Sequence, residues 1–278
     1  MASRFLSTLI SKIEIERKFL PTRPLLDALT RPTTLRNLPS SISRVHPTAV
    51  NFIRDVYYDR HDERLAAEGV WVRRRSVVVG SSASCTSSWE AKVRVGGDFT
   101  ASQFVEVEGA EAVEREMKRA LGGYVALDEV AKHLDITSDL TTRRLSGLLE
   151  LRPEEDSSKE LRLKNLTLAI DQVVETGGDF AAARTVLERM PARDGGDTES
   201  SLSSPFFHEI GELELMEEIR TENEAEHETY RRTVAGSRAA QLEAFMRAHP
   251  ALFPMTPRPR GKLNAYYSWR KAGGALRR

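Results

Sequence analysis

The chain has 278 residues, a length that accommodates one large domain or two modest ones. A hydrophobic content of 40% is enough for a core and excludes wholesale disorder. The 41 basic and 41 acidic residues cancel, which argues against a nucleic-acid-binding protein that relies on bulk positive charge, and the sequence lacks the run of ~20 apolar residues that spans a bilayer.

In chain order, the first half of the sequence predicts strands joined by short connections. Alternating residues indicate a strand at 13–19, and prolines open a short helix at 22–28, after which the Pro-, Ser- and Thr-rich residues 31–50 are expected to form a loop. Strands are expected at 51–58 and 70–79, separated by a turn with one short helix at 61–69, and then at 89–95 and 103–108.

The second half predicts more helix. Helices are expected at 110–121, ended by Gly122, and at 127–134. Strands are predicted at 136–144, 147–151, 166–176 and 207–219, with a hairpin loop at 153–159, and helices follow at 225–248 and 262–271. Many short strands with few β-α-β alternations favour an α+β, mainly β protein, in which helices pack outside an antiparallel sheet or barrel.

These elements suggest a single domain over residues 13–271, with tails at 1–12 and 272–278 and a flexible surface insertion at 181–205. Cys85 is the single cysteine, so no intramolecular disulfide can form, and we expect a cytoplasmic protein with an inert surface thiol. Residues 1–12 resemble a targeting peptide only faintly, and a predicted strand with charged residues begins directly after them.

Charged side chains alternate along the predicted strands, so that each strand has one ionic face. These faces are Glu14, Glu16 and Lys18; Trp71, Arg73 and Arg75; Glu90, Lys92 and Arg94; Glu106 and Glu108; and Glu212 and Glu214. Solvent faces of a half-buried sheet are one interpretation. The separation of acidic from basic pairs favours a second, in which the ionic faces line the lumen of a barrel. Because buried ions are costly, such a lumen implies a highly charged ligand, such as a triphosphate with a divalent metal.

Residues 13–19, with the sequence IEIERKF, resemble the ExExK signature of the CYTH superfamily, the triphosphate tunnel metalloenzymes. Further segments follow in the order typical of that family. They are Tyr57-Tyr58-Asp59, WVRRR at 71–75, WEAK at 89–92, Thr142-Arg143, the strand around Asp171, GELE at 211–214 and Gly261-Lys262-Leu263. The resemblance covers about residues 13 to 271. It is closest to the thiamine triphosphatase branch, on the Trp-x-Arg-x-Arg and Trp-Glu-x-Lys segments.

The resemblance implies a closed eight-stranded antiparallel tunnel and Mg²⁺-dependent hydrolysis of thiamine triphosphate to thiamine diphosphate and phosphate, with Mn²⁺ as a second candidate metal. It implies metal binding by Glu14, Glu16, Asp171, Glu212 and Glu214. It implies substrate binding by Lys18, Trp71, Arg73, Arg75, Lys92, Arg143 and Lys262. Catalytic roles are assigned to Lys92, Glu16 and Arg73. Arg144 adjoins Arg143, and a slip of one residue would exchange the faces of the two.

Several alternatives stay open at this point. The substrate could instead be inorganic tripolyphosphate or a nucleoside triphosphate, and a non-catalytic polyphosphate-binding module uses the same tunnel; a cyclase is less favoured. The general base is either a glutamate with a raised pKa or Lys92 made less basic by neighbouring cations. Trp71 either stacks on the thiamine rings or caps the barrel. We expect a monomer whose partner is a small-molecule triphosphate, with no nucleic acid or membrane partner.

Overall fold

The computed structural model describes residues 9–30, 38–80, 82, 84–97, 101–152, 163, 166–190, 205–222 and 224–273. The strands within these ranges are β1 (Leu9–Phe19), β2 (Ile42–Asp59), β3 (Val70–Val79), β4 (Thr86–Gly97), β5 (Ala101–Glu108), β6 (Asp135–Leu151), β7 (Leu166–Glu175) and β8 (Phe207–Thr221). The helices are α1 (Arg23–Thr30), α2 (Arg64–Ala67), α3 (Ala110–Leu121), α4 (Val130–His133), α5 (Phe180–Arg189), α6 (Glu224–Ala248) and α7 (Lys262–Lys271), with a 3₁₀ turn at Leu127–Glu129.

These eight strands form one closed antiparallel barrel, which confirms the predicted fold class. The order around the ring is β1-β5-β4-β3-β2-β6-β7-β8. The first and last strands close it, because β1 pairs with β8 from Leu9 opposite Thr221 to Phe19 opposite Gly211. Successive side chains of each strand point alternately into and out of the ring. The strand order therefore decides which inward residues meet.

Helices cover the apolar outer face of the ring. Ile13 and Ile15 of β1 belong to one buried cluster with Leu242 and Met246 of α6, to which α1 also contributes. A second cluster joins α2 and α3 to the outer face of β3 and β4, and a third joins α5 to β2. Among the described helices, none is long and apolar enough to cross a membrane.

The last helix, α7, lies at the end of the ring where β1 ends. Tyr266 and Trp269 form a buried cluster with Leu140 and Val173, which point into the ring from β6 and β7. The Tyr266 hydroxyl donates a hydrogen bond to Glu175 at 2.7 Å. One end of the barrel is therefore packed by a helix, and the first turn of that helix faces the lumen.

The predicted bounds of β3, α3 and α7 agree with those of the structure. The prediction of a loop at 31–50, in contrast, is wrong from residue 42 onward. β2 begins at Ile42, because Ile42 and Val45 are buried in the cluster beneath α1 and pair with β6. Pro47 lies at a register shift in this pairing. Because the regular hydrogen-bond ladder is interrupted at the shift, a residue without a backbone N–H is tolerated there. The proline that suggested a loop is thus accommodated by a bulge.

Two predicted strands, 136–144 and 147–151, form the single strand β6. Gly147 does not end a strand there. A Cβ at this position would lie 2.6 Å from a Leu29 methyl group, so the glycine allows α1 to approach the sheet closely. β1 likewise starts at Leu9, four residues before its predicted start.

The predicted insertion at 181–205 begins as a packed helix. Asp179 caps α5 by accepting a hydrogen bond from the backbone N–H of Ala182 at 3.0 Å. Ala183 and Leu187 are buried against the barrel. Residues 191–204, the predicted hairpin loop at 153–159, and the terminal segments 1–8 and 274–278 lie outside the described residues.

We predict that Gly211→Ala lowers the free energy of unfolding by about 1–3 kcal/mol, as overpacking of a core does. A Cβ on Gly211 would lie 2.3 Å from ring carbons of Phe19, and Phe19 is held edge-on against Phe253 at 5.1 Å. Gly236→Ala, on the exposed face of α6 with open space around it, should raise that free energy by about 0.5–1 kcal/mol. Urea denaturation followed by circular dichroism measures both; equal stabilities would contradict the packing described here.

Candidate active site

The ionic faces of the strands meet inside the ring, as predicted. Lys18 lies opposite Glu212 and Glu16 opposite Glu214 across the β1–β8 pair. Glu14, Arg73 and Glu212 are 4%, 3% and 7% exposed, so these charges do not face bulk water. They line a cavity of about 130 Å³, which is room for roughly ten water molecules. Its charged lining residues are Glu14, Glu16, Lys18, Arg73, Arg75, Lys92, Glu106, Arg144, Glu212 and Lys262.

Nine of the twelve residues predicted for the site line this cavity. They are Glu14, Glu16, Lys18, Trp71, Arg73, Arg75, Lys92, Glu212 and Lys262. Glu214 lies at its edge, in contact with the same group, and Asp171 lies behind a lining arginine. The remaining residue, Arg143, is not part of the cavity. The structure therefore brings together most of the predicted set, while the roles of its members remain proposals.

The lumen residue of the 143–144 pair is Arg144, and the prediction of Arg143 was wrong. Register decides it: Arg144 pairs with the inward-facing Asp171, and Arg143 pairs with Gln172 on the opposite face. The Arg144 guanidinium forms a bidentate hydrogen bond with Asp171 at 2.7 and 2.8 Å. The Arg143 guanidinium instead reaches the Gln172 side-chain oxygen at 3.4 Å.

Three carboxylates form a compact acidic group between β1 and β8. One oxygen each of Glu14, Glu16 and Glu214 lies within 4.8 Å of the others. Lys92 donates a hydrogen bond to Glu14, and its Nζ lies 3.7 Å from Glu16. The Lys92 ammonium therefore already contacts two of the three carboxylates. Three hard oxygen donors at this spacing fit a divalent cation such as Mg²⁺ or Mn²⁺.

The other two predicted metal ligands are engaged by cations. Both oxygens of Asp171, which is 1% exposed, accept hydrogen bonds from Arg144. Glu212 accepts another from the same guanidinium at 2.8 Å and lies 3.7 Å from the Lys18 ammonium. The compact group is engaged in the same way, by Lys92, Lys18 and Arg144, so the close spacing of its three carboxylates is what distinguishes it as a metal site.

Opposite the acidic group, three basic side chains converge on Asp55. Arg75 donates two hydrogen bonds to Asp55, at 2.8 and 3.0 Å, and Lys262 donates one at 3.1 Å. Arg73 lies 3.7 Å away and donates two hydrogen bonds to Glu90, at 3.0 and 2.8 Å. Burial alone would raise the pKa of Glu90, but Arg73 and Arg75 hold it below its ordinary value.

The sequence reasoning did not assign Asp55, Glu90 or Glu106 to the site. A signal for Asp55 was present, because it lies two residues before Tyr57 on the same face of β2, and Tyr57 accepts a hydrogen bond from Arg73 at 3.3 Å. Asp59, in the same Tyr57-Tyr58-Asp59 motif, has a structural role. It accepts backbone hydrogen bonds from Leu65 and Ala66 at 2.8 and 2.9 Å and so anchors α2.

Ion pairs join these groups into one network of eight carboxylates and six basic side chains within the described residues. The acids are Glu14, Glu16, Asp55, Glu90, Glu106, Asp171, Glu212 and Glu214, and the bases are Lys18, Arg73, Arg75, Lys92, Arg144 and Lys262. When all are ionised the formal charge is −2, and a bound triphosphate of roughly −4 would deepen it. Added cations would therefore strengthen the binding of a triphosphate.

Lys92 is a cation in this arrangement. Burial on its own lowers the pKa of Lys92, but Glu14, Glu16 and Glu106 outweigh burial and raise it above the ordinary value. The Lys92 Nζ atom lies 3.5 Å from a Glu106 oxygen. The neighbouring carboxylates therefore raise the pKa of Lys92 by more than the neighbouring cations lower it. These contacts favour a glutamate of the acidic group over Lys92 as the general base, and the base itself stays a proposal.

Aromatic side chains flank the cavity beside Lys92. Trp71 meets Phe104 edge-on at 5.6 Å, and the Lys92 ammonium lies 5.2 Å from the Phe104 ring centre. The guanidinium of Arg94 lies 4.7 Å over the Trp71 ring. One face of Trp71 is thus occupied by a planar cation of the protein itself.

No family model matches the sequence, and no curated protein matches it. Solved structures that match include the PH1819 protein from Pyrococcus horikoshii OT3, at 12% identity, with 84% of this chain and 89% of that one covered and a TM-score of 0.39. A second match is HpAC1 from Hippeastrum, which is called an adenylyl cyclase and described as having a dominant triphosphatase activity. It is 15% identical, the match covers 85% of this chain and 87% of that one, and the TM-score is 0.36. A candidate adenylate cyclase from Vibrio parahaemolyticus is 9% identical, with 84% and 88% covered and a TM-score of 0.32. Similarity of this degree carries no argument about the activity of this chain.

We predict that the contribution of Glu214 to the stability of the metal-free protein is lost as the pH rises from about 5 to about 8. Burial raises the pKa of Glu214 from 4.5 to about 8; Arg144 opposes this rise, and Glu14 and Glu212 add to it. An acid with a raised folded-state pKa holds its proton in the native state, so its stabilising effect is complete below the unfolded pKa and is lost towards pH 8.

Thermal melts in EDTA between pH 5 and 8 measure this loss. Glu214→Gln should flatten the profile, and Glu218→Gln, an exposed acid of the same strand, should leave it unchanged. Mg²⁺ should stabilise the wild type more at pH 8 than at pH 5, because it competes with the proton for the same oxygens. Parallel profiles for the wild type and Glu214→Gln would refute the assignment.

Proposed function

We propose that the protein is a metal-dependent hydrolase of triphosphates, with thiamine triphosphate as its substrate and thiamine diphosphate and phosphate as its products. The observation that carries this proposal is the convergence on one cavity of the compact acidic group and of six basic side chains, which are Lys18, Arg73, Arg75, Lys92, Arg144 and Lys262. A site that only binds polyanions needs mainly the basic group. The additional acidic group is the expected feature of a site that also holds a divalent cation.

Glu14, Glu16 and Glu214 are the side chains that would hold this cation, and Mg²⁺ is the first candidate. Once bound, it would neutralise charge on the phosphate oxygens and make a nearby water molecule more acidic. Glu212 and Asp171 are assigned to Arg144, whose guanidinium they orient. This division revises the five-residue metal set implied by the sequence resemblance.

The basic side chains bind the phosphate chain and stabilise the charge that builds up on its oxygens. Arg73 and Arg75 reach the cavity from β3 and Lys262 from α7, while Lys18, Lys92 and Arg144 reach it from β1, β4 and β6. Hydrolysis forms a bond from the water oxygen to the terminal phosphorus and breaks the bond from that phosphorus to the bridging oxygen, which leaves on the diphosphate. A carboxylate of the acidic group would accept the water proton, because the contacts of Lys92 with Glu14, Glu16 and Glu106 favour its protonated form.

Thiamine triphosphate is favoured by the Trp-x-Arg-x-Arg and Trp-Glu-x-Lys segments, which place Trp71 beside Lys92 at the cavity wall. A thiazolium ring can stack on a tryptophan through cation–π attraction. Arg94 already uses one face of this tryptophan, so the thiamine rings must take the other face or displace the guanidinium. Inorganic tripolyphosphate, which needs no aromatic contact, is the alternative substrate.

The first test is phosphate release from thiamine triphosphate, tripolyphosphate and ATP, with Mg²⁺ and with EDTA. We expect release only with Mg²⁺, and its near-complete loss in Glu14→Ala, because that change removes one of three clustered oxygen ligands. Glu218→Ala, an exposed acid on β8, is the matched control and should retain activity. Tight tripolyphosphate binding without phosphate release would support the non-catalytic module instead.

The second test addresses the organic part of the substrate. Trp71→Ala should lower kcat/KM for thiamine triphosphate by about tenfold, the scale of one cation–π or stacking contact, and change that for tripolyphosphate much less. Steady-state kinetics on both substrates measure the ratio. An equal loss on the two would show that Trp71 supports the barrel and does not read the thiamine rings.

A further inference from the structure

Asp55, like Asp171, lies behind the side chains that line the cavity. Its side chain is fully buried on the inner face of β2, opposite Arg75 of β3, and it does not line the cavity. Glu14, Glu16, Glu106 and Glu212 all line the cavity, where a ligand would touch them. Asp55 can therefore influence a ligand only through the side chains that separate it from the cavity.

The side chains in contact with Asp55 are basic, and they come from two parts of the chain. Arg75 binds both carboxylate oxygens, at 2.8 and 3.0 Å, and Arg73 lies 3.7 Å away on the same strand. Lys262, the first residue of α7, donates to the second oxygen at 3.1 Å. All three basic residues line the cavity, so one buried carboxylate holds three cavity cations.

The charges of this group explain why the carboxylate is needed. Three cations this close repel one another, and burying them without an anion is very costly. Burial alone would raise the pKa of Asp55, but Arg75, Lys262 and Arg73 together hold it well below its usual value, so it stays ionised. Glu90 is the second anion of the group, and Glu106, 3.9 Å from Arg73, is shared with Lys92.

We propose that Asp55 is a positioning residue: it orients Arg73, Arg75 and Lys262 toward the cavity, ties the first turn of α7 to the barrel, and limits the attraction of this group for polyanions. This inference rests on the proposed function, because the cations it positions are those proposed to bind the triphosphate. Asp55 itself touches neither the substrate nor the reacting atoms.

Asp55→Asn keeps the shape of the side chain and removes its charge. The three cations then attract a polyanion more strongly but are no longer held in one arrangement. We expect tripolyphosphate to bind about tenfold more tightly in EDTA, and kcat with Mg²⁺ to fall about tenfold while KM does not rise. A merely structural role would instead weaken binding and turnover together, in line with the folded fraction.

Asp139→Asn is the matched control. Asp139 of β6 forms a bidentate pair with Arg54 of β2, at 2.8 and 2.7 Å, away from the cavity. Its loss should leave both the tripolyphosphate affinity and kcat unchanged. Asp55→Glu keeps the charge and shifts the geometry, so its metal-free affinity should match the wild type while kcat falls; it carries the test if Asp55→Asn does not fold.

Isothermal titration of each variant with tripolyphosphate in EDTA, and steady-state phosphate release with Mg²⁺, give the two readouts. Opposite changes in affinity and kcat for Asp55→Asn support the proposal. Wild-type values for both, or a parallel loss of both in a folded variant, overturn it while the proposed function stands. A wild type that neither binds nor hydrolyses triphosphates overturns the proposed function, and this inference with it.

Discussion

Mutual pairing of buried opposite charges is the interaction on which the rest of this structure depends. Arg144 contacts three carboxylates, and Asp55 contacts three cations, so few of these ions meet water. The ring must be closed to bring the partners together, and its outer face must be apolar so that helices can cover it. Register errors are heavily penalised, because a slip of one residue would bury an ion among the side chains of α1 or α6.

The same pairing bears on the proposed binding of a triphosphate. In the structure, carboxylate oxygens surround the guanidinium and ammonium groups, and Lys92 contacts the acidic group. In the proposed complex, phosphate oxygens and a metal ion would exchange one set of ion pairs for another. Such an exchange avoids the full cost of dehydrating bare charges, and it lets a narrow barrel accept a polyanion and cations together.

Much of this could be predicted from the alternation of residues within single strands. The ionic faces of β1, β3 and β8 and the helix that begins at Lys262 follow from local pattern and motif. What could not be predicted depends on which strands are neighbours. The place of Arg144 in the lumen is identified only by its register against Asp171, and the role of Asp55 only by its contacts with Arg75 of β3 and Lys262 of α7. The start of β2 was missed for the same reason, since pairing with β6 overrides the local preference of Pro47 for a loop.

Closure of the ring by its first and last strands has a consequence for how the chain is made. β1 is synthesised well before its partner β8, which ends at Thr221. Lys262, which also lines the cavity, is synthesised later still. Until then β1 carries an open row of backbone donors and acceptors, together with the glutamates of the acidic group. Contacts of such long sequence separation form slowly, so the nascent chain has a lasting need for protection from other unfinished chains.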